Sequence, residues 1–395
     1  MRQTAPESIG ILLLIMFSHN LYAADQFIIG AVLVNIMTDL SLSIFWSGVI
    51  ATLFGLGMVF SSLLAGRIIE KIGLFYALLT GLFTFSLFTV LTGFSFSPID
   101  ISIYRIFVGI GEGLWNVSYY SVFGSLYPKR RGLASGIAGN MYIVGIFWSY
   151  PVASIIFSWM NSWRAPFHVF GLSGLFLLVL IMLAAKFAEF RHLEERENTV
   201  KQKERLPVML KDRNIILGLI ISFFAAITFY SITVFYPTYL RTVLNYDPVF
   251  SSTLTSTQMC SMMIMSPLIL FLSDKYGRKL FLCSSSLMLA PVVYFMFRPE
   301  FGIPHIVSLL CIIYGAVNSG GYPLVVSFFQ DLVEAPLIPL ATSFCSAVFN
   351  IGSLASGPTT TYFVSLVGWE DLWVWLIICC LTYFLAAFMI KAGRP

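Results

Sequence analysis

Long apolar runs alternate with short polar breaks along the whole chain. Each run reaches the roughly 20 residues a helix needs to cross a bilayer. The runs lie at 9–38, 43–66, 75–95, 98–127, 133–159, 165–186, 214–242, 248–272, 279–297, 303–330, 337–366 and 369–390. Phe, Ile, Leu and Val follow one another without the period-two alternation of barrel strands. The pattern therefore predicts an all-α membrane protein with twelve transmembrane helices. One polar stretch is longer than the rest, mixing basic residues with Glu189, Glu194, Glu195, Glu197, Glu204 and Asp212. It predicts an N-terminal six-helix bundle over 1–190, a cytoplasmic linker over 191–213 and a C-terminal six-helix bundle over 214–395.

The basic residues orient this arrangement. With the N-terminus cytoplasmic, nineteen of them face inward: Arg2, Arg67, Lys71, the Lys129-Arg130-Arg131 cluster, eight from Lys186 to Arg213, Lys275, Arg278, Lys279, Lys391 and Arg394. Only Arg164, Arg241 and Arg298 face outward. The asymmetry predicts both termini in the cytoplasm. A cleaved signal ending at Ala23-Ala24 is disfavoured, because one Arg precedes the run and its apolar character continues beyond that point.

Composition agrees. At 58% hydrophobic, 11% charged and a mean hydropathy of +0.87, a water-soluble globule would have no polar surface. The net charge of +4 gives no reason to expect nucleic acid as a partner. Cys260, Cys283, Cys311, Cys345, Cys379 and Cys380 all sit in apolar runs without a C-x-x-C, and read as small buried hydrophobes.

The halves repeat. Gly66-Arg67-Ile68-Ile69-Glu70-Lys71-Ile72-Gly73 joins the second and third runs, and Ser273-Asp274-Lys275-Tyr276-Gly277-Arg278-Lys279 joins the eighth and ninth. The order acid, base, any residue, Gly recurs at an offset of 204. A six-plus-six duplication of spans is a mark of secondary transporters. An acid beside a base in a tight Gly turn is chemistry suited to clamping neighbouring helix ends while halves rock. Gly66, Glu70, Lys71, Gly73, Asp274, Lys275, Gly277 and Arg278 are therefore candidate gating residues.

The fourth run holds the costliest residues. Arg105 and Glu112 lie seven positions apart, about two helical turns, on one face of an otherwise apolar span. Each buried charge costs roughly 2.5 to 3.5 kcal/mol or more unless paired or hydrated. With Arg105-x-x-x-Gly109-x-Gly111-Glu112-Gly113, the two repeated loops and the Gly136, Gly139, Gly145 series, the chain resembles the major facilitator superfamily over essentially its whole length. Within it, the pattern is similar to proton-coupled organic anion symporters and to spinster-like carriers. Those families often place Asp-Arg in the middle of the first span, where this chain has Asp25-Gln26. Gln26 removes a second cationic contact for a carboxylate substrate, and Tyr150-Pro151 replaces the Gly-Pro that ends the family's fifth span. The resemblance implies a cell membrane carrier, multi-pass, of prokaryotic plasma membrane type, working as a monomer on a small molecule with protons as co-substrate.

Depth arithmetic adds a third member. Asp25 lies about 24 Å along the first span and Glu112 about 21 Å along the fourth, which runs the other way. The carboxyls thus share a depth, with Arg105 about 10 Å nearer the outside and able to swing toward either. Desolvation raises a carboxyl pKa and a neighbouring cation lowers it, so moving the arginine changes which acid holds a proton. Asp25, Glu112 and Arg105 are the expected coupling residues; a static interhelical salt bridge is the competing reading. Substrate contacts are expected from Arg105, Gln26, Tyr22, Asn116 and Tyr119. The second half carries no deep charge and offers Tyr230, Tyr236, Gln258, Asn318, Tyr322 and Asn350, with Asn318 to Pro323 loosening the tenth span. His19, six residues before Asp25 and off its face, is set aside as a coupling residue.

No Gly-Lys-Ser/Thr phosphate loop, H-E-x-x-H, or metal-spaced Cys or His is present, so no cofactor, metal or enzymatic activity is expected. The expected function is rocker-switch transport, driven by protons, of a small organic solute bearing a carboxylate. A lipid or lysolipid carrier and a non-transporting receptor with the same fold stay open beside it.

Overall fold

The apolar runs are helices in the computed structural model, which describes residues 6–126, 131–187, 212–332 and 338–390. In order they are α1 (Pro6–Asp39), α2 (Ile44–Thr52), α3 (Phe54–Ile72), α4 (Leu74–Thr92), α5 (Pro98–Leu126), α6 (Arg131–Met160) and α7 (Arg164–Phe187). There follow α8 (Arg213–Thr242), α9 (Pro248–Tyr276), α10 (Arg278–Met296), α11 (Pro304–Asn318), α12 (Gly321–Asp331), α13 (Ile338–Val367) and α14 (Trp373–Met389). Among the described residues the regular elements are all helical, and nine spans are long and apolar enough to cross a membrane.

Two of the expected runs are each divided. The run at 43–66 breaks between α2 and α3, where the Thr52 hydroxyl donates back to the Gly48 carbonyl at 3.0 Å. The run at 303–330 breaks at Ser319-Gly320, inside the Asn318 to Pro323 stretch, where Ser319 Oγ returns to the Ala316 carbonyl at 2.7 Å. The linker expected at 191–213 lies outside the described residues up to 211. Its last two residues form the start of α8, with the Asp212 carboxylate accepting from the Asn214 and Ile215 amides at 2.7 and 3.3 Å. The Lys129-Arg130 pair also lies outside the described residues.

The chain divides into two units, Met1–Leu42 with Leu53–Glu197, and Ser43–Thr52 with Asn198–Pro395. In the first, α1 is buried on every face from Ser18 to Leu33, the behaviour of a central helix. In the second, α8 is buried on every face from Ala225 to Leu240.

The glycines of α5 explain how it sits. A Cβ on Gly109 would overlap the Phe54 carbonyl of α3, one on Gly111 the Phe85 backbone of α4, and one on Gly113 the Ser61 hydroxyl of α3. Helix α5 is therefore wedged against α3 and α4 at backbone contact, the close approach that small residues allow in membranes. Gly109→Ala is expected to destabilise the protein by about 1–3 kcal/mol through overpacking. Gly66→Ala, where a Cβ meets open space, should leave the midpoint unchanged. Thermal unfolding of both variants in detergent checks this.

In the second unit, α2 lies on α13: the Thr52 hydroxyl reaches the Leu354 carbonyl at 3.1 Å, and Gly48 and Gly357 meet at backbone contact. Helix α8 is tied to α13 by Ser222 Oγ donating to the Cys345 carbonyl at 3.0 Å and by the Ser231–Thr360 hydroxyl pair at 2.6 Å. Of the cysteines, Cys311, Cys345, Cys379 and Cys380 are buried, while Cys260 and Cys283 are only partly so.

The repeated loops share one backbone solution. Gly73 and Gly277 are each the single residue between two helices, at φ 87° and 94°. Each donates its N–H to the carbonyl four residues back, Ile69 and Ser273, at 2.8 and 3.0 Å. A positive φ favours glycine at both positions.

Candidate functional site

The site assembles in the first unit, around the polar residues of α1. Asp25 is 2% exposed and Arg105 and Glu112 are 0% exposed, so water screens none of the three. Arg105 points to Asp25, not midway between the acids: its Nη1 lies 3.7 Å from Asp25 Oδ2. Its guanidinium also lies 5.1 Å from the centre of the Phe54 ring. None of its three nitrogens has a hydrogen-bond acceptor among the described residues. A guanidinium carries five N–H donors, so its capacity to bind an anion is almost entirely unspent.

Asp25 has a second partner on α4. The Thr89 hydroxyl stands 2.8 Å from Asp25 Oδ1 and also 2.8 Å from the Phe85 carbonyl. A hydroxyl has one hydrogen and two lone pairs. Facing a carboxylate, Thr89 donates to it; facing a protonated Asp25, it accepts that proton's bond and donates to Phe85. The contact serves both charge states of the acid without a change in position.

Glu112 is held differently. Its Oε2 accepts from Gln26 Nε2 at 3.3 Å, and Gln26 Oε1 accepts from the Tyr142 hydroxyl of α6 at 2.6 Å. Asp25, beside Arg105, and Glu112, on Gln26, are thus two buried acids of one cluster. Counted with both acids ionised, the trio bears one net negative charge; one shared proton makes it neutral. A buried cluster of this kind strongly prefers neutrality.

Toward the N-terminal end of α1 the walls turn aromatic. Trp115, three residues after Glu112, donates its indole N–H to His19 Nδ1 at 3.2 Å. Tyr119 stacks on the His19 ring with centroids 3.7 Å apart, and Tyr22 lies over it at 4.9 Å. Tyr22 also faces Tyr142 at 5.7 Å, and Asn116 is half-buried on the same helix as Glu112. His19, set aside from its angular offset to Asp25, thus belongs to this cluster. Offset on α1 is a poor guide because α1 is buried on every face, so a residue off one face meets another helix. Thr89 and Tyr142 were also missed: their types are common in the chain, and only the packing of α4 and α6 on α1 singles them out.

The expected residues of the second half are dispersed. Tyr230 packs on Phe229 and Phe349. Tyr236 stacks with Tyr239 at 5.8 Å in an apolar cluster with Phe297 and Tyr314. Gln258 donates to Cys311 Sγ at 3.6 Å, and Asn318 to the Tyr314 hydroxyl at 3.3 Å. The backbone carbonyl of Asn350 accepts from Ser353 at 3.1 Å, and Tyr322 bonds the Ser346 hydroxyl.

At the loops, the acid–base clamp is rearranged from the expected neighbours. Asp274 pairs with Arg278, and Arg278 Nε also reaches Asp331 of α12 at 3.0 Å, while Lys275 is exposed. The turn at Gly277, with its positive φ, brings Arg278 at the start of α10 back to Asp274 in the last turn of α9, while Lys275 lies against the Tyr276 ring. At the first loop Lys71 and Gly66 are exposed, Leu74 stands where Arg278 stands in the second, and the Glu70 side chain lies outside the described residues.

The chain is 27% identical over 296 residues to a putative proline/betaine transporter of Staphylococcus aureus, an alignment covering 67% of this chain and 58% of that protein. This chain therefore spans less than two thirds of that relative's length. It is 21% identical over 361 residues to the cis,cis-muconate transport protein of Acinetobacter baylyi, covering 87% and 84%. Its fold matches that of a bacterial homolog to the human lysosomal transporter Spinster, with a TM-score of 0.82 at 17% identity over 98% of both chains. The family model of the Major Facilitator Superfamily matches residues 15–256 and 218–395, and with the duplicated turns and the buried α5 motif in place, the chain belongs to that superfamily.

Proposed function

We propose that this chain is a proton-coupled secondary carrier of small organic acids, working by alternating access of two six-helix bundles with both termini in the cytoplasm of a cell membrane. The observation that carries this reading is Arg105, buried without a hydrogen-bond acceptor 3.7 Å from the Asp25 carboxyl, with the buried Glu112 two turns along its own helix. An anion binding at Arg105 adds negative charge to a cluster already short of one cation. Protons on Asp25 and Glu112 offset that charge, so anion and proton bind together. The Thr89 hydroxyl, suited to both states of Asp25, lets this happen with little rearrangement. A relative named for muconate, a dicarboxylate, supports the solute class.

The loop residues act as gates in this scheme, with Arg278 joining the α9 end to α12 through Asp274 and Asp331. Uptake by proteoliposomes tests the proposal, using cis,cis-muconate, galactonate, hexanoate, glycine betaine, a neutral sugar and a lysolipid with and without an inward proton gradient. The expected result is gradient-driven accumulation confined to acids, with alkalinisation of the outer medium. Accumulation of the lysolipid or sugar alone, or acid uptake indifferent to the gradient, would overturn it.

A further inference from the structure

We propose that His19 is a substrate-binding residue, donating a hydrogen bond from Nε2 to a second oxygen of the transported acid. The inference deepens the organic-acid reading and rests on it. The indole of Trp115 can only donate, so its bond to Nδ1 at 3.2 Å makes that nitrogen the acceptor and places the ring hydrogen on Nε2. His19 is 0% exposed, and its Nε2 has no partner among the described residues. A buried donor without an acceptor is unusual in a folded protein and calls for an explanation.

The ring cannot turn to find one. It is stacked on Tyr119 with 6° between planes and on Tyr22 with 22°, and the Tyr120 ring meets it edge-on. The groups facing it are Tyr22 from α1, Trp115, Tyr119 and Tyr120 from α5, and Tyr142 from α6. None is charged, so His19 stands as a neutral donor among aromatic faces rather than as one member of an ion pair. Six residues along α1, about 9 Å of rise, stands Asp25 with Arg105 against it. The first unit thus presents two donor poles without acceptors, a guanidinium and an imidazole N–H, with the carboxyl pair between them. A solute that meets both carries its carboxylate at one end and a further acceptor oxygen at the other, as a straight-chain dicarboxylate does.

The test compares succinate, adipate and suberate with butyrate, hexanoate and octanoate in counterflow by the full chain in proteoliposomes. His19→Phe keeps the stack and removes the donor. It is expected to raise the half-saturation concentration about tenfold for the diacids and less than about twofold for the monoacids. Because both values come from one preparation, loss of folded protein cancels. His19→Gln, whose amide nitrogen extends to the Nε2 position, should restore the discrimination, and His19→Asn, which reaches only the Nδ1 position, should not. Equal effects of His19→Phe on both series, no effect on either, or recovery by Asn as good as by Gln would overturn the proposal. Arg105→Gln separates the two levels: weakened binding of both series upholds the organic-acid reading whatever His19 does. If the wild-type chain carries neither series, both fall.

Discussion

Glu112→Gln is expected to uncouple transport while leaving the carrier able to exchange solute. A pH difference of two units can sustain roughly 100-fold accumulation of a monovalent acid carried with one proton, since each unit is worth about 1.36 kcal/mol. With Gln at this position, accumulation should fall to a ratio of about one. Counterflow at equal pH should persist, because Gln preserves the size of the side chain and its amide oxygen still accepts from Gln26, the contact that Glu112 Oε2 makes at 3.3 Å. The experiment reads steady-state accumulation and counterflow in the same vesicles. Undiminished gradient-driven accumulation would remove Glu112 from the coupling path and leave the static salt bridge as the better account of the trio.

The second large effect concerns the buried ion pair. Arg105→Gln leaves Asp25 as an isolated interior carboxylate, and Asp25→Asn leaves Arg105 as an isolated interior cation. Breaking a buried pair from one side costs about 3–5 kcal/mol, because the partner remains desolvated and uncompensated. Both single variants should therefore unfold at markedly lower temperature in detergent. The double variant Arg105→Gln/Asp25→Asn removes both charges and should recover to within about 1 kcal/mol of the wild type, while remaining unable to accumulate acids. The cycle distinguishes stability from function: a double variant no better than the sum of the singles would mean that the 3.7 Å contact between these residues carries no coupling energy.

The helices were legible because bilayer thickness sets a length that apolar runs of this size meet, and the described helix ends fall within a few residues of the polar breaks; nine of them, among the described residues, are long and apolar enough to span. The division at Ser319-Gly320 was legible from its small residues. The division after Thr52 was not: no Pro marks it, and the Thr52 back-bond has counterparts inside unbroken helices, as at Thr84. The same contrast holds in the site. Asp25, Arg105 and Glu112 stand out in sequence because charge in an apolar span is costly wherever it lies. Which acid the arginine meets, and that Thr89, Gln26 and Tyr142 complete the network, depends on helix rotation that no single run encodes. Arg278 shows the limit most simply: Asp274 is its neighbour on the chain, whereas Asp331 meets it only through folding.

The all-round burial of α1 bears on how the protein is made. Ser18, His19, Asn20, Asp25 and Gln26 lie within one span, and a helix so marked is a poor guest in lipid on its own. Its partners are Thr89, Arg105, Glu112, Trp115 and Tyr142, the last of which is synthesised more than a hundred residues later. At about 5–20 residues per second, the first span waits on the order of ten seconds for the helices that satisfy it. The insertion machinery is expected to shelter α1 through that interval, so the polar residues proposed for coupling would also make its retention beside the translocation channel a step in biogenesis.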